Sequence, residues 1–309
     1  MNSLIKKPKS KFLRIVKKIF LIVLSIIVVL VIGFFLFTIL YTPEISDNYG
    51  RVDHKLYVGN SDNQPLIVAF GGSQGGNTWT ENYWSEKRNN FLNQGYAVLA
   101  IGYANTENTP KIIERISLNA IYDTIKQVSQ HPKIDSERIV LLGSSKGGEL
   151  VLNLASRYDD IDAVIALVPS NVTFPGYTIT ANTSSWMYND KEVEFIHLPF
   201  FKFLWKKLYA GGNSQVLREI MVEDEKLCEK GEINVENISG PILLLSAKND
   251  EAWPSDYMSN QIVKRLEKNQ FEHHYEHVMF EGSHHDTKKH FDVVFKFLDE
   301  HFNVDSNKR

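Results

Sequence analysis

The chain has 309 residues, of which 43% are hydrophobic and 23% are charged, and its formal net charge is -3. Both fractions exclude a wholly disordered chain, and the near-neutral charge argues against a nucleic-acid-binding protein, which would need a basic face. The single cysteine, Cys228, excludes an internal disulfide and any paired-cysteine zinc or redox site.

The N-terminal segment joins a basic cluster to a long apolar run. Residues 1–18 contain seven basic side chains and no acidic one, and residues 19–41 are 23 residues without a charge. A run of this length crosses a bilayer as a helix, and the basic flank predicts a cytoplasmic N-terminus. We therefore expect a transmembrane signal-anchor over 19–41 in the cell membrane, with the C-terminal domain outside the cytoplasm. A cleaved signal peptide is the alternative, but its apolar stretch is shorter and ends in small residues, which 37–41 lack.

Beyond residue 50, short apolar runs alternate with longer segments of helical periodicity. The predicted strands are 65–70, 96–101, 139–142, 163–168, 242–246 and 275–280. The predicted helices are 80–93, 110–130, 146–158, 255–268 and 288–302. Strand and helix in alternation predict an α/β fold, in which a mostly parallel sheet carries helices on both faces.

Residues 171–238 interrupt this alternation and are rich in aromatic side chains. An insertion of this length in a compact domain is usually functional, so one interpretation is a cap over a site at the edge of the sheet. The other interpretation is a helical excursion with its own small core, because aromatic side chains more often pack than line a pocket.

The clearest chemical signal follows the predicted strand 139–142. There, Gly143, Ser145 and Gly147 form a G-x-S-x-G motif that leads directly into a helix. Glycine on both sides lets a sharp turn hold the serine hydroxyl above the sheet without side-chain clashes. Ser145 is therefore the candidate nucleophile, and Ser144 lies one residue out of register.

A serine nucleophile needs a base and an acid to orient it, which follow the serine in the order Ser, Asp or Glu, His in this kind of fold. Asp250 lies in the loop after the strand 242–246, and the pair His284 and His285 follows the strand 275–280. These loops come to the same edge of a parallel sheet as Ser145, where ligands bind. The alternative roles are a turn or cap residue for the aspartate and surface positions for the histidines.

An oxyanion hole needs two backbone N–H groups near the developing negative charge. The first is expected from Lys146, directly after the nucleophile, and the second from Gly72 or Ser73 in the glycine-rich turn after the first predicted strand. This turn matches no nucleotide-binding motif, and we expect no cofactor. No metal is expected either, because no carboxylate completes a ligand pattern with the histidine cluster of His273, His274 and His277.

Over about residues 62–290 the sequence resembles the acyl-CoA thioester hydrolase / bile acid-CoA:amino acid N-acyltransferase C-terminal domain family, within the α/β-hydrolases. The matching segments are Phe70-Gly71-Gly72, Gly95 to Ala100, Gly143 to Leu150, Asn249 to Ser255 and Gly282-Ser283-His284. The resemblance implies an α/β-hydrolase domain over 48–305 with a triad of Ser145, Asp250 and His284. Serine at a position that is cysteine in the acyltransferases implies the hydrolytic branch. Longer members have a β-sandwich domain where this chain has about 20 residues.

The expected function is a membrane-anchored serine hydrolase that cleaves acyl thioesters or esters through an acyl-enzyme. Acyl-CoA is a cytoplasmic pool, whereas the predicted anchor places the site outside, so a carboxylesterase or lipase-like hydrolase of extracytoplasmic esters is the alternative. A non-catalytic binding protein on a hydrolase scaffold is a third possibility, because fold does not determine function.

Overall fold

The computed structural model describes residues 11–302. This part of the chain separates into two compact units, with the boundary between Pro43 and Glu44. Most of the predicted basic segment, and the last residues of the predicted domain 48–305, lie outside the described residues.

The first unit consists of one long helix, α1, which runs over Lys11–Leu40. Its segment Leu13–Leu40 has a mean hydropathy of 3.4, and none of its most apolar window is buried in the protein. At about 1.5 Å per residue, 28 residues exceed the ~30 Å of a hydrocarbon core. By length and composition, α1 is therefore able to cross a bilayer, a property that it shares with signal sequences.

The second unit is built on ten strands. In chain order these are β1 (Asp53–Tyr57), β2 (Gln64–Phe70), β3 (Ala97–Gly102), β4 (Ile116–Ser117), β5 (Ile134–Ser144), β6 (Ala163–Leu167), β7 (Trp186–Tyr188), β8 (Lys191–Glu192), β9 (Ile242–Ala247) and β10 (Tyr275–Phe280). Seven of them form the main sheet in the order β1-β3-β2-β5-β6-β9-β10. Only β1 is antiparallel to its neighbour, which confirms the predicted, mostly parallel sheet.

Helices cover both faces of this sheet. The helices of this unit are α2 (Ser85–Asn93), α3 (Leu118–Ser129), α4 (Lys146–Ala155), α5 (Phe200–Ala210), α6 (Asn213–Glu223), α7 (Glu225–Glu229), α8 (Ser255–Lys268) and α9 (Phe291–His301), and those that pack on the sheet are α2, α3, α4, α8 and α9. Side chains of β2 alternate between two cores: Leu66 and Val68 pack in the core that α3, α4 and α8 cover, and Ile67 packs in the core of α2 and α9. The apolar runs are thus buried on both sides, as crossover helices require.

The predicted helix 110–130 is wrong over its first third. Residues Ile116 and Ser117 form β4, which pairs with β7 in a second, three-stranded sheet. The helix α3 begins only after Ser117, whose hydroxyl accepts a hydrogen bond from the Ala120 N–H at 3.1 Å. Pairing with the distant β7 and a local N-cap together override the helical periodicity of this segment.

Two other predicted helices begin later than expected. A pair of 3₁₀ turns, Thr78–Thr80 and Asn82–Trp84, precedes α2. Likewise, a 3₁₀ helix over His284–His290 precedes α9, and a capping box between Ser283 and Asp286 starts it. Both changes occur at the helix N-terminus, where boundaries are least determined by apolar spacing. The capping box sets the first turn before α9, whereas no side chain caps α2 or the two 3₁₀ turns before it.

The insertion 171–238 contributes no strand to the main sheet. It contains β7, β8 and the helices α5 to α7, and it packs its own small apolar cluster. That cluster also takes in Trp253 and Met258, which lie in the loop after β9 and in α8. The interpretation of an excursion with its own core therefore agrees with the packing, while the same packing brings the insertion against a loop at the sheet edge.

Candidate active site

Ser145 occupies the sharp turn between β5 and α4 with a strained backbone. Its φ is +57° and its ψ is -119°, a conformation that side-chain-bearing residues rarely adopt. Such backbones cost of order 1–3 kcal/mol and concentrate at active sites. The Ser145 N–H donates to the Leu167 carbonyl at 2.8 Å, which ties the turn to β6, and the residue remains partly accessible. The turn thus holds a serine hydroxyl at the edge of the sheet.

The two glycines of the motif are required by close backbone packing. A Cβ on Gly143 would lie 2.1 Å from the Gly147 carbonyl oxygen, and a Cβ on Gly147 would lie 2.4 Å from the Gly71 carbonyl oxygen. Both contacts are far inside van der Waals distance, so neither position has room for a side chain. The predicted reason for these glycines is confirmed, and Gly147 also brings the glycine-rich turn 71–76 against the nucleophile turn.

The backbone donors expected for an oxyanion lie beside Ser145. A Cβ on Gly72 would approach the Ser145 Cβ to 3.3 Å, so this residue is in contact with the nucleophile turn. Within residues 11–302, the N–H groups of Gly72, Ser73 and Lys146 donate no hydrogen bond. Gly72 and Lys146 are buried residues, and buried N–H groups are almost always paired, so their unpaired N–H groups next to a serine are available to an anionic oxygen. Ser73 is exposed, so its N–H group is also open to water.

Tyr103, which sequence reasoning missed, orients two of these donors. Its buried hydroxyl lies 3.0 Å from the carbonyl oxygens of Gly71 and Gly72 and shares its one hydrogen between them. In a trans peptide the N–H points opposite to the C=O, so these bonds turn the N–H groups of Gly72 and Ser73 away from Tyr103. Burial raises the pKa of Tyr103 well above its usual value, which keeps the hydroxyl a donor. No local motif around residue 103 signals this contact.

Asp250 and His284 form a buried pair in the loops after β9 and β10. The His284 Nδ1 lies 2.9 Å from both carboxylate oxygens of Asp250. The same carboxylate accepts the N–H groups of Ala252 at 3.0 Å and Trp253 at 3.1 Å. With Nδ1 donating to a fixed carboxylate, Nε2 of His284 is left as the acceptor.

The two adjacent histidines have different surroundings. The His285 side chain is 85% exposed, with Glu251 at 3.8 Å from its Nε2 and the His284 ring edge-on at 5.4 Å, whereas the His284 side chain is 7% exposed. Glu251 also accepts the His284 backbone N–H at 3.0 Å. His284 is thus the histidine that lies against Asp250. Asp250 and His284 are therefore hydrogen-bonded in the structure. Within residues 11–302 the Ser145 hydroxyl makes no hydrogen bond, so it is not bonded to the His284 imidazole.

A buried ion pair at the start of α4 was also missed, although both of its residues lie in the segment Gly143 to Leu150 that carries the family resemblance. The Lys146 Nζ lies 2.7 and 2.8 Å from the two carboxylate oxygens of Glu149, and both side chains are fully buried. Burial lowers the pKa of Lys146 and raises the pKa of Glu149, and their mutual attraction opposes both shifts.

Aromatic residues of the insertion surround this pair. The Lys146 ammonium lies 5.8, 5.7 and 5.3 Å from the ring centroids of Phe174, Tyr177 and Trp186, which allows cation–π attraction. The Trp186 Nε1 donates to Glu149 at 2.7 Å. The insertion is therefore held directly against the residue that follows the nucleophile.

The histidine cluster of His273, His274 and His277, at which no metal is expected, is divided among separate contacts. His277 bonds Ser246 at 2.6 Å through Nε2 and Asn260 at 3.2 Å through Nδ1. His274 stacks on His301, and His273 lies edge-on to Phe271, with 5.3 Å between ring centroids. Within residues 11–302, no group of three or more His, Cys, Asp or Glu side chains is arranged to hold a metal ion.

Comparison with protein families and curated proteins gives matches over this region. The model of the family described as BAAT / Acyl-CoA thioester hydrolase C terminal matches residues 116–288, and a second model, BD-FAE, matches residues 55–172. "Acyl-coenzyme A thioesterase 2, mitochondrial" of Mus musculus is 29% identical over 174 residues, which are 56% of this chain and 36% of that protein. The chain thus aligns with little more than a third of this relative's length.

Solved structures are similar in fold at low sequence identity. The acylaminoacyl peptidase of Pyrococcus horikoshii covers 84% of this chain and 41% of its own, with a TM-score of 0.57 and 15% identity. An alpha/beta hydrolase from Penicillium sp. sh18 covers 81% of this chain and 99% of its own, with a TM-score of 0.51 and 13% identity. The fold of the second unit is the α/β-hydrolase fold.

Proposed function

Because the chain belongs to the BAAT / Acyl-CoA thioester hydrolase C terminal family, we propose that it hydrolyses acyl thioesters or esters with Ser145 as nucleophile. The observation that carries the proposal is the strained backbone of Ser145 at the end of a central parallel strand. A conformation of this cost is retained where it positions a reactive side chain.

The proposed reaction uses His284 as base and Asp250 as its orienting acid. The Ser145 oxygen attacks the acyl carbonyl carbon while His284 Nε2 takes the hydroxyl proton, and the positive imidazole is stabilised by Asp250. Collapse of the tetrahedral intermediate breaks the C–S or C–O bond, and His284 returns the proton to the leaving thiol or alcohol. Water then attacks the acyl-enzyme, again with His284 as base, and releases the carboxylate. The hydrogen bond between Ser145 and His284 forms when substrate binds, as catalytic contacts often do.

The negative oxygen of the intermediate is proposed to bind the N–H of Lys146 together with that of Gly72 or Ser73. The support for this assignment is that these groups have no partner within the described chain and that Tyr103 orients two of them. Preorganised donors of this kind stabilise the transition state more than the substrate.

The first test is labelling by a fluorophosphonate probe, which reacts with an activated serine. We expect the wild type to be labelled, Ser145→Ala to be unreactive, His284→Ala to lose labelling and His285→Ala to keep most of it. An unreactive wild type would favour a non-catalytic binding protein, and equal labelling of Ser145→Ala would contradict the nucleophile. A reversed result for the two histidines would transfer the base to His285.

The helix α1 is proposed to anchor the chain in the cell membrane, with the N-terminus in the cytoplasm and the hydrolase domain outside. The support is the apolar length of Leu13–Leu40 and the basic residues at its N-terminal end. Protease treatment of intact cells should degrade the domain, and protection of the domain would reverse the orientation.

In this orientation the substrate is an ester or thioester outside the cytoplasm, of the kind that carboxylesterases or lipases hydrolyse, rather than cytoplasmic acyl-CoA. Assays of acyl-CoA against simple acyl esters distinguish the two substrate classes. The insertion 171–238 is proposed to cover the acyl chain, because Phe174, Tyr177 and Trp186 lie next to Lys146.

A further inference from the structure

The helix α5, in the middle of the insertion, exposes a broad apolar face. The exposed apolar residues recur at helical spacing and are Phe200, Phe201, Leu204, Trp205, Leu208 and Tyr209. Trp205 is 63% exposed, Leu208 68% and Tyr209 74%. Single exposed apolar residues are normal, but a contiguous set of large ones marks a surface that is covered by something else.

The opposite side of α5 is used for folding, so the exposed face is set by the structure of the insertion. Lys206 forms ion pairs with Glu219 at 2.9 Å and Glu223 at 2.7 Å in α6, and Lys202 pairs with Glu223 at 3.0 Å. Phe203 packs against the apolar cluster of the insertion. These contacts fix the rotation of α5 about its axis and leave the aromatic face outward.

The composition of α5 matches a helix that lies in a membrane interface. It contains three lysines and no acidic residue, although residues 44–309 hold 27 basic and 37 acidic groups. Lys202 and Lys206 pair with glutamates of α6, so Lys207 is the lysine of α5 that is left for a lipid phosphate. Tryptophan and tyrosine concentrate at the level of lipid headgroups, and lysine at the border of an apolar face extends its ammonium to the phosphates. Lys207 lies within the exposed part of the helix and makes no ion pair inside the described chain.

The short connection between α1 and the hydrolase domain also limits how far the domain can lie from a bilayer. Residues 41–52 connect α1 to β1 and span at most about 40 Å when fully extended. With α1 as the proposed anchor, the hydrolase domain is held within that reach of the lipid. We propose that the exposed face of α5 docks on the lipid bilayer and lies in its interface. The helix then turns the insertion, and with it the side chains around Lys146, toward the membrane surface.

The position of the tryptophans makes this proposal directly measurable. Of the five tryptophans, Trp205 is exposed, Trp79, Trp186 and Trp253 are at most 8% exposed, Trp84 is half-buried and packed in a core, and α1 contains none. Quenching of tryptophan fluorescence by bromine on lipid chains therefore reports on α5.

The experiment places the full-length chain in phosphatidylcholine vesicles with and without brominated acyl chains. We expect bromine to quench the wild type, and Trp205→Phe to lose that quenching. A double variant, Leu204→Ser with Leu208→Ser, keeps Trp205 and should lose most of the quenching as well. The matched control is Ile179→Ser, which removes an apolar side chain that is 81% exposed elsewhere in the insertion and should leave quenching unchanged.

Three results would overturn the proposal. They are an unquenched wild type, undiminished quenching in Trp205→Phe, and undiminished quenching in the double variant with an unchanged unfolding midpoint. An unquenched wild type that forms a cross-linked dimer, lost in the double variant, would assign the face to a second copy instead. Alkaline washing of the vesicles tests α1 separately, because release of the chain would contradict the anchor and leave the quenching result to stand alone.

Discussion

The loops at the sheet edge and the insertion 171–238 differ in how their side chains reach the candidate active site. Ser145, Asp250 and His284 follow three parallel strands, and the common direction of these strands brings their loops to one edge of the sheet. The insertion reaches the same place through side-chain packing around Lys146 and Glu149. A parallel sheet therefore brings the loops of the candidate catalytic residues to one edge by its topology, whereas an inserted segment is positioned by the particular partners that it buries.

The largest expected effect lies at the sheet edge. Asp250→Asn should lower kcat by about 10⁴-fold with little change in unfolding, because an amide stabilises the wrong tautomer of His284. The measurement is kcat on an acyl ester together with a denaturation curve. The matched control is Glu251→Gln, which lies beside His284 but bonds only its backbone N–H, and should lose far less activity. Equal losses in the two variants would break the assignment of Asp250.

The next effect tests how strongly the insertion depends on the buried ion pair of α4 against which it packs. Glu149→Gln leaves the Lys146 ammonium buried without a counter-charge and should cost about 3–5 kcal/mol of unfolding free energy. Chemical denaturation measures this loss. The comparison variant is Glu281→Gln, because Glu281 pairs with Lys248 at 2.6 Å on the exposed surface and should change stability little. A small loss in both variants would mean that the insertion is held by other contacts.

A smaller effect is expected at Tyr103, which contacts both the glycine-rich turn at the sheet edge and Trp186 of the insertion. Tyr103→Phe removes the hydroxyl that bonds the Gly71 and Gly72 carbonyls, and it should cost about 1–3 kcal/mol because buried acceptors lose their donor. If Tyr103 orients the oxyanion donors, kcat should also fall roughly tenfold while KM changes little. A loss of stability without a fall in kcat would make Tyr103 a purely structural residue.

The smallest effect is expected for exposed Trp205, and a comparison with buried Trp186 distinguishes the outer face of the insertion from its packed face. Trp205→Ala should change the unfolding free energy in detergent by no more than about 0.5 kcal/mol, because the side chain is exposed. Trp186→Ala removes a fully buried ring and should cost about 3–5 kcal/mol. Thermal or chemical unfolding of the two variants makes the comparison. A large loss for Trp205→Ala would show that α5 is part of the folded core.

The sequence by itself determined the six parallel strands of the main sheet, most helices and the order of the candidate catalytic residues, but not the edge strand β1 or the short strands β4, β7 and β8. Apolar runs such as 65–70 and 242–246 predict buried strands because burial on both faces demands apolar side chains without alternation. The glycines around Ser145 were likewise predictable from the local sequence, since a tight turn next to another backbone segment excludes a Cβ. The family was also predictable, because it depends on short contiguous motifs. The roles of Ser145, Asp250 and His284 remain predictions.

Only the tertiary structure decided which distant groups meet. It placed His284 rather than His285 against Asp250 and buried Lys146 beside Trp186. It also paired Ile116 with β7 in a strand, where periodicity predicted a helix. None of these outcomes leaves a local pattern, because each depends on a partner tens of residues away whose free energy outweighs local preference. Periodicity records whether a residue is buried, while the partner with which it is buried is a property of the fold.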